Sequence, residues 1–427
     1  MAFRFIHSAD IHLDSPLKSL AMRNEELFGL IGGATRQAFV NIVDLCIKEQ
    51  VDALVLAGDV YDGEQTSMKT AKFFALEMNR LRLAGIQVYV VRGNHDAATK
   101  ISNELTLPKN VKVFSGRGEN VSAPVVGGGP EVVIHGISFA ESKAPASLLP
   151  KFKAPVEGAV NIGVLHTSMT GAEGHNTYAP CTVADLQGFG YRYWALGHIH
   201  KRTVFDGAST IVMPGNTQGR DVNEAGPKTA TLVTVHDDGR IELEERLTSV
   251  AEFARIPIRV DGCQDWTSVV EAMAVAATKA KDAARSEHLV GRLVLTGTAP
   301  VAWELRAKPD LLKAEAETAA KIAGNVWIES IEIGCKPVAF AAGAVESGDA
   351  LGEMMGDIEG NILSSDAFVG QTAELAKELL SGLPKECQGI FDGADEAAFK
   401  TEIARLAREG AEDVLARLRS ESGKDSI

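Results

Sequence analysis

Residues 53–96 read ALVLAGDVYDGEQTSMKTAKFFALEMNRLRLAGIQVYVVRGNHD, and this stretch decides the fold. Ala53–Ala57 is a compact apolar run that stops at Gly58, which predicts a short buried strand. Met68–Leu83 places Ala71, Phe74, Met78 and Leu81 on one stripe and is followed by Gly85, a stop signal, which predicts an amphipathic helix. Gln87–Val91 returns to a strand and is halted by Arg92-Gly93. Strand, helix and strand at this spacing predict a parallel pair joined by a crossover helix. Each strand runs directly into polar residues: Gly58-Asp59-Val60-Tyr61-Asp62 after the first, Gly93-Asn94-His95-Asp96 after the second.

The pattern extends in both directions. Upstream, Phe3–Ala9 is strand-like, and Ala34–Lys48 is helical with Phe39, Ile42, Val43 and Cys46 on one face. Downstream of residue 110 helices become scarce. Short strands are expected at Val111–Phe114, Val132–His135, Ile162–His166, Tyr193–Leu196, Thr210–Met213, Ala230–Val235 and Ile241–Glu245, the last two joined through the turn-forming His236-Asp237-Asp238-Gly239. Residues 1–250 therefore form one α/β region. Residues 251–338 read as a smaller α/β domain: strands at Phe253–Val260, Gly291–Leu295 and Val326–Ile333, helices at Thr267–Ala284 and Pro309–Ile322. Ala339–Asp349 is small and polar, an expected linker. Residues 350–427 read as helical, with Phe368, Leu375 and Leu379, then Phe399, Ile403, Leu406, Val414 and Leu418, at helical spacing.

Composition narrows the class. Of 427 residues, 45% are hydrophobic and 23% charged, as in ordinary globular proteins and unlike disordered or collagen-like chains. No apolar run approaches the ~20 residues that span a bilayer. The N-terminal apolar patch is too short for a secretory leader. A cytoplasmic, membrane-free protein is the expectation. The cysteines, Cys46, Cys181, Cys263, Cys335 and Cys387, are scattered without a CxxC pair, so reduced thiols are expected rather than a disulfide framework or a zinc knuckle. The formal charge is -14, with 24 basic against 27 acidic residues in 1–250 and 19 against 30 beyond. That balance disfavours a protein that coats DNA by bulk charge. It leaves room for an enzyme that meets phosphates through bound cations.

Five motifs carry chemistry, each at an expected strand end: Asp10-Ile11-His12, Gly58-Asp59-Val60-Tyr61-Asp62, Gly93-Asn94-His95-Asp96, the lone His166, and Gly197-His198-Ile199-His200. Sites in open α/β sheets assemble at the carboxyl ends of strands. The groups offered are carboxylates, imidazoles and one amide oxygen, without a thiolate. Such a set suits Mn²⁺, Fe²⁺ or Zn²⁺. Seven donors exceed the needs of one transition ion but suit two ions sharing a carboxylate, ~3.5–4 Å apart. Each motif alone has a plainer explanation as a turn, a cap or a core histidine. Their order and common placement carry the inference.

Together these motifs resemble the signature of the calcineurin-like metallophosphoesterases over residues 1–250. Within that superfamily the chain resembles the SbcD-type (Mre-eleven-like) DNA repair exonucleases, in their YhaO-type bacterial branch. The opening Ser8-Ala9-Asp10-Ile11-His12-Leu13-Asp14-Ser15-Pro16 and the later segments Met213–Arg220 and Asn223–Lys228 support the narrower match. The resemblance implies a four-layer α/β/β/α sandwich with a small α/β capping domain and a helical tail. It implies that Asp10, His12, Asp59 and His200 hold one metal, and that Asp59, Asn94, His166 and His198 hold the other, with Asp59 bridging. His95 would lie over the scissile phosphate and Asp96 would orient it. Asp14 and Tyr61 stand where the family usually has Gly and often has Phe.

The implied activity is a two-metal phosphodiesterase, with Mn²⁺ as the expected ion, acting as a DNA exonuclease or endonuclease in repair. An SMC-like ATPase and a second copy of the chain are the implied partners. The alternative is an esterase acting on a small nucleotide or a phosphoprotein. A further alternative is a non-enzymatic metal-dependent scaffold. Among the remaining residues, Lys201-Arg202 are expected to meet a nucleic-acid backbone. Arg220 reads equally as a phosphate contact or a turn-surface residue. His7, His135, His175, His236 and His288 are expected to be structural or on the surface, and Trp266, Trp303 and Trp327 to be core.

Overall fold

The computed structural model describes residues 2–15, 25–63, 67–98, 106–124, 129–142, 144, 146–169, 178–337, 357–363, 365–381 and 396–422. The expected linker 339–349, Pro16, His175 and Cys387 lie outside the described residues. The chain divides into two compact units. The first comprises Met1–Arg255, Ala280–Gly291 and Asn325–Glu329; the second comprises the rest.

Two six-stranded sheets build the first unit. One has the order β12-β11-β1-β2-β3-β4, from β1 (Phe3–Ser8), β2 (Ala53–Ala57), β3 (Gln87–Val91), β4 (Val111–Val113), β11 (Thr229–Val235) and β12 (Ile241–Leu247). Its strands β1 to β4 are mutually parallel, and β11 joins β1 antiparallel. The second sheet has the order β5-β6-β7-β8-β10-β9. Its strands are β5 (Glu119–Ser122), β6 (Val132–Gly136), β7 (Val160–His166), β8 (Tyr193–Gly197), β9 (Thr203–Phe205) and β10 (Thr210–Met213). Here β6, β7, β8 and β10 are parallel, while the edges β5 and β9 run antiparallel.

The continuous apolar runs are explained by burial on both faces. On one face of the first sheet, Ile6, Leu54, Leu56, Val88 and Leu232 meet Phe39, Ile42, Met78 and Leu81 of helices α2 (Ala34–Glu49) and α3 (Met68–Leu83). On the other face, Phe5, Ala53, Val55, Val91 and Val233 meet Ile134, Ile162, Val164, Tyr193 and Val212 of the second sheet. Alternation along Ala53–Ala57 sends odd residues to one interface and even residues to the other, as a period of two requires.

The outermost layer on the second sheet holds one short helix, Val183–Gly188, and the turn Leu149–Lys151. Much of its bulk comes from aromatic side chains, with Phe152, Tyr191 and Trp194 in a contiguous cluster. Gly163 admits this packing, because a Cβ there would lie 2.4 Å from the Trp194 ring. The chain is thus the four-layer α/β/β/α sandwich implied by the motifs, with one helical face and one largely aromatic face.

Elsewhere, strands Ala251–Arg259, His288–Thr296 and Val326–Ile333 form a three-stranded sheet in that order. In the second unit, helix Ala302–Ala307 packs on the long helix Glu396–Ser422, which also meets Asp366–Ser381. Arg306 and Asp413 approach within 3.6 Å across the first of these contacts.

Candidate metal centre

Because β1, β2 and β3 are adjacent and parallel, their carboxyl ends share one edge. Asp10, Asp59 and Asn94 follow directly on that edge. His166 ends β7 and pairs in register with Gly197 of β8, which leads straight into His198. Two of the loops are zipped together: the amides of Asp10, Ile11, His12 and Leu13 donate to the carbonyls of Gly58, Asp59, Asp59 and Val60 at 2.9–3.1 Å.

The backbone at these positions is unusual. Asp10 (φ 51°), His12 (φ 46°), Asp14 (φ 61°), Asp59 (φ 51°) and His198 (φ 106°) all have positive φ. Non-glycine residues there are uncommon, and such strain gathers where function needs a fixed side chain. Two glycines clear the space. A Cβ on Gly58 would lie 2.4 Å from His166 Nδ1, and one on Gly93 would lie 2.1 Å from Asp59 Oδ1.

Among the described residues three clusters bring ligand atoms within 4.8 Å of one another: Asp10, His12 and His200; Asp59, His166 and His198; and His12, Asp62 and His95. His12 Nε2 lies 3.2 Å from His200 Nε2. His166 Nε2 lies 3.2 Å from His198 Nδ1, 3.0 Å from Asn94 Oδ1 and 3.3 Å from Asp59 Oδ2. His198 and His200, two residues apart, lie past the end of β8 and go to different clusters.

The outer nitrogens fix the tautomers. His166 Nδ1 donates to the carbonyl of Ala57 at 3.0 Å, so its Nε2 lone pair faces the cluster. His12 Nδ1 donates to Asp62 at 3.2 Å and His200 Nδ1 to Glu224 at 2.7 Å. Oxygen lone pairs of Asn94 and Asp59 therefore face the unprotonated nitrogen of His166, with His198 Nδ1 beside them. Like-signed acceptors this close need a positive charge among them. Within the protein alone a second proton on His166 supplies it: burial opposes that charge, but Asp59 and Asp10 override it and raise the imidazole to about 9. A divalent cation meets the same demand with more bonds, and the imidazole, carboxylate and amide donors fit Mn²⁺-type ions.

His95 is set apart by its exposure. Its side chain is 41% exposed, against 0% for His166. Its amide donates to Asp59 Oδ1 at 3.0 Å, and its ring stands edge-on to His12 with centroids 5.0 Å apart.

The expectation that Asp96 orients His95 is corrected. Asp96 is buried and accepts from the backbone amides of Tyr61 (2.9 Å), Gly93 (3.0 Å) and Val60 (3.3 Å). It sits at the start of the short helix Asn94–Ala98 and braces the two ligand loops against each other. Burial and the neighbouring Asp59 push its carboxyl up to about 6. The carboxylate beside His95 is Asp62, 3.4 Å from Nδ1. Burial favours its neutral form, but the bond from His12 prevails and lowers it to about 2.

Glu224 is the other residue that sequence reasoning missed. It receives His200 Nδ1, Arg220 Nη2 at 2.8 Å, the Arg220 amide at 2.8 Å and Asn216 Nδ2 at 2.8 Å. Burial alone would raise this carboxyl, yet His200 and Arg220 hold it well below the usual range. Arg220 is thus the brace behind a histidine. Arg202 is committed as well, to Thr231 Oγ1 at 2.5 Å and Glu245 at 3.0 Å, so of the expected backbone-meeting pair only Lys201 is exposed without such ties. Asp14 receives both Arg36 and Thr70, tying the His12 loop to α2 and α3. Tyr61 is buried against Phe74. His7 and His135 are buried and hydrogen-bonded to Tyr193 and Asn161, and His236 meets Glu242. Trp266, Trp303 and Trp327 are half-buried.

A fold of two sheets with these clusters at their strand ends defines a class, and comparison gives the family: the chain belongs to the calcineurin-like metallophosphoesterases. Residues 3–202 match the family model described as calcineurin-like phosphoesterase, and residues 253–336 match that of the metallophosphoesterase YhaO middle domain. The chain is 33% identical over 328 residues to "Uncharacterized metallophosphoesterase YhaO" of Bacillus subtilis (strain 168), covering 76% of this chain and 79% of that one. It is 28% identical over 226 residues to "DNA double-strand break repair protein Mre11" of Sulfurisphaera tokodaii, covering 50% of this chain and about half, 53%, of that relative. Among solved structures, a dimetal phosphatase from Danio rerio aligns over 58% of this chain and 96% of its own, with 12% identity and a TM-score of 0.36.

Proposed function

We propose that the protein is a two-metal phosphodiesterase that cuts DNA in repair, as an exonuclease or endonuclease, with Mn²⁺ as its ion. The observation that carries this reading is the convergence of imidazole, carboxylate and amide groups from five strand ends beside the exposed imidazole of His95. Asp10, His12, Asp59 and His200 would hold one ion, and Asp59, Asn94, His166 and His198 the other. Two such ions supply Lewis acidity and a water acidic enough to be hydroxide near neutral pH.

The chain's own residues do the rest. Asp62 accepts from His12 and lies 3.4 Å from His95 Nδ1, so one carboxylate faces both a candidate ligand and the outward imidazole. His95, with Nδ1 facing that carboxylate, is left to donate a hydrogen bond or a proton to an oxygen of the scissile phosphate. Asp96 holds the loops that carry Asp59 and His95 at one spacing. DNA as the substrate is supported by the Mre11 relatives. An SMC-like ATPase partner is supported by the helical region from residue 357, which leaves Leu375, Leu379, Leu406 and Val414 exposed. A homodimer and a cytoplasmic location complete the reading. Among the described residues no helix is long and apolar enough to cross a membrane.

The test is hydrolysis of linear duplex and single-stranded DNA with Mn²⁺, beside bis-p-nitrophenyl phosphate, by wild type, His95→Ala and Asp59→Ala. DNA cleavage lost in both variants is the expected result. Turnover of the small ester by wild type without DNA cleavage, alone or with the ATPase, would overturn the DNA assignment.

A further inference from the structure

A cleft of about 640 Å³ begins at His200 and Glu224, within the first unit, and runs past Asn216, Arg202 and Lys228 to Glu245. Its volume falls within the ~300–1,000 Å³ range of small-molecule pockets, more than one phosphate group needs. The two carboxylates on its wall are already engaged. Glu224 receives His200, Arg220 and Asn216, and Glu245 receives Arg202 at 3.0 Å and Arg285 at 3.9 Å.

Lys228 differs from its neighbours. The residue is only 9% exposed, and among the described residues its ammonium has no ion pair or hydrogen-bonding partner. Its place is fixed by its backbone: the amide donates to Ser249 Oγ at 3.0 Å, and the carbonyl accepts from the Thr248 amide and hydroxyl, each at 3.0 Å. The side chain passes over Gly219, where a Cβ would lie 3.5 Å from Lys228 Cε. Burial pulls its pKa down, and Glu224 offsets this only in part. The stem is buried while the unpartnered ammonium itself still reaches solvent, which leaves it free to receive an anion. Lys201, exposed on the same wall, adds a second positive charge.

We infer that this cleft is an anion subsite in which Lys228 receives a second phosphate, covalently linked to the one held at the metal centre. The inference rests on the phosphodiesterase reading and deepens it. A nucleic-acid strand carries its next phosphate one nucleotide from the scissile bond, so occupation of the cleft would favour a strand over an isolated phosphate ester. Lys228 then sets specificity, by a charge-assisted contact away from the reacting atoms.

The test compares inhibition of bis-p-nitrophenyl phosphate hydrolysis by thymidine 3′,5′-bisphosphate and by thymidine 5′-monophosphate, in Mn²⁺. Wild type should bind the bisphosphate about tenfold or more tightly than the monophosphate, the scale of one hydrogen bond to a charged group. Lys228→Met should lose that preference and Lys228→Arg should recover most of it. Equal inhibition by both compounds in wild type, or a preference that survives in Lys228→Met, would overturn the subsite. Cleavage of hexathymidylate by wild type is scored separately. Its absence alongside an intact bisphosphate preference would count against the nuclease reading while supporting the subsite.

Discussion

The two ends of the chain follow different rules. In the first unit every strand that leads into the metal centre is buried, and its loops are locked by backbone bonds, positive-φ residues and bracing carboxylates. In the helices from residue 357 onward, Leu375 is 57% exposed, Leu379 65% and Val414 59%. The chemistry lies in the rigid part, where a displacement of one ångström would separate the donors. The other part has apolar side chains in water and no convergent ligand set among its described residues. A region that performs a reaction must be over-determined by its own contacts. A region that meets a partner can leave its contacts to be completed by that partner.

Substitutions should sort along this division. Asp59→Ala, at the residue placed in both metal sites, should lower phosphodiester hydrolysis by about a thousandfold or more, since the ions supply several kcal/mol of transition-state stabilisation. Steady-state kinetics on bis-p-nitrophenyl phosphate measures it, and a loss below tenfold would count against the proposed place of Asp59 in both sites. His95→Ala should lower kcat by roughly 10²–10⁴, the usual worth of a positioned acid or base, while the protein keeps its metal content. A parallel loss of metal would make His95 a ligand and break the distinction drawn from its exposure. Glu224→Gln should weaken Mn²⁺ binding by about 10–100-fold, through release of His200, as read by titration calorimetry. An unchanged affinity would leave Glu224 a partner of Arg220 alone. Leu379→Ser, in the exposed helix, should change stability by less than about 0.5 kcal/mol in urea unfolding and leave ester hydrolysis as in wild type. A large loss would show that this helix is packed like the first unit.

The sequence carried much of this division openly. The Ala53–Ala57 run and residues Val88–Val91 read as strands because burial on both faces leaves them apolar. The stripe on Met68–Leu83 marked a crossover helix because only one face of it is buried. The seven positions proposed as ligands were legible because each lies at or just past a strand end, where chain order and spatial position coincide. Their partners were not. Asp62 lies three residues from Asp59, yet its contact with His95 depends on how two loops fold back. Glu224 meets His200 from 24 positions further along the chain. Asp96, adjacent to His95, suggested an orienting pair, but the helical turn that starts at Asn94 directs its carboxylate to the backbone instead. The edge strands Glu119–Ser122 and Thr203–Phe205 were missed because they are short and half-exposed, without an apolar run to announce them. Helix Glu25–Gly32 was missed for want of a periodic stripe long enough to register.

The most direct measurement of the central claim is the number of Mn²⁺ ions bound per chain, counted by elemental analysis after equilibrium dialysis. Wild type and His95→Ala should each hold two, and Asp59→Ala should hold fewer. A single ion in wild type, or two ions retained without Asp59, would contradict a shared two-metal centre built from the five strand ends.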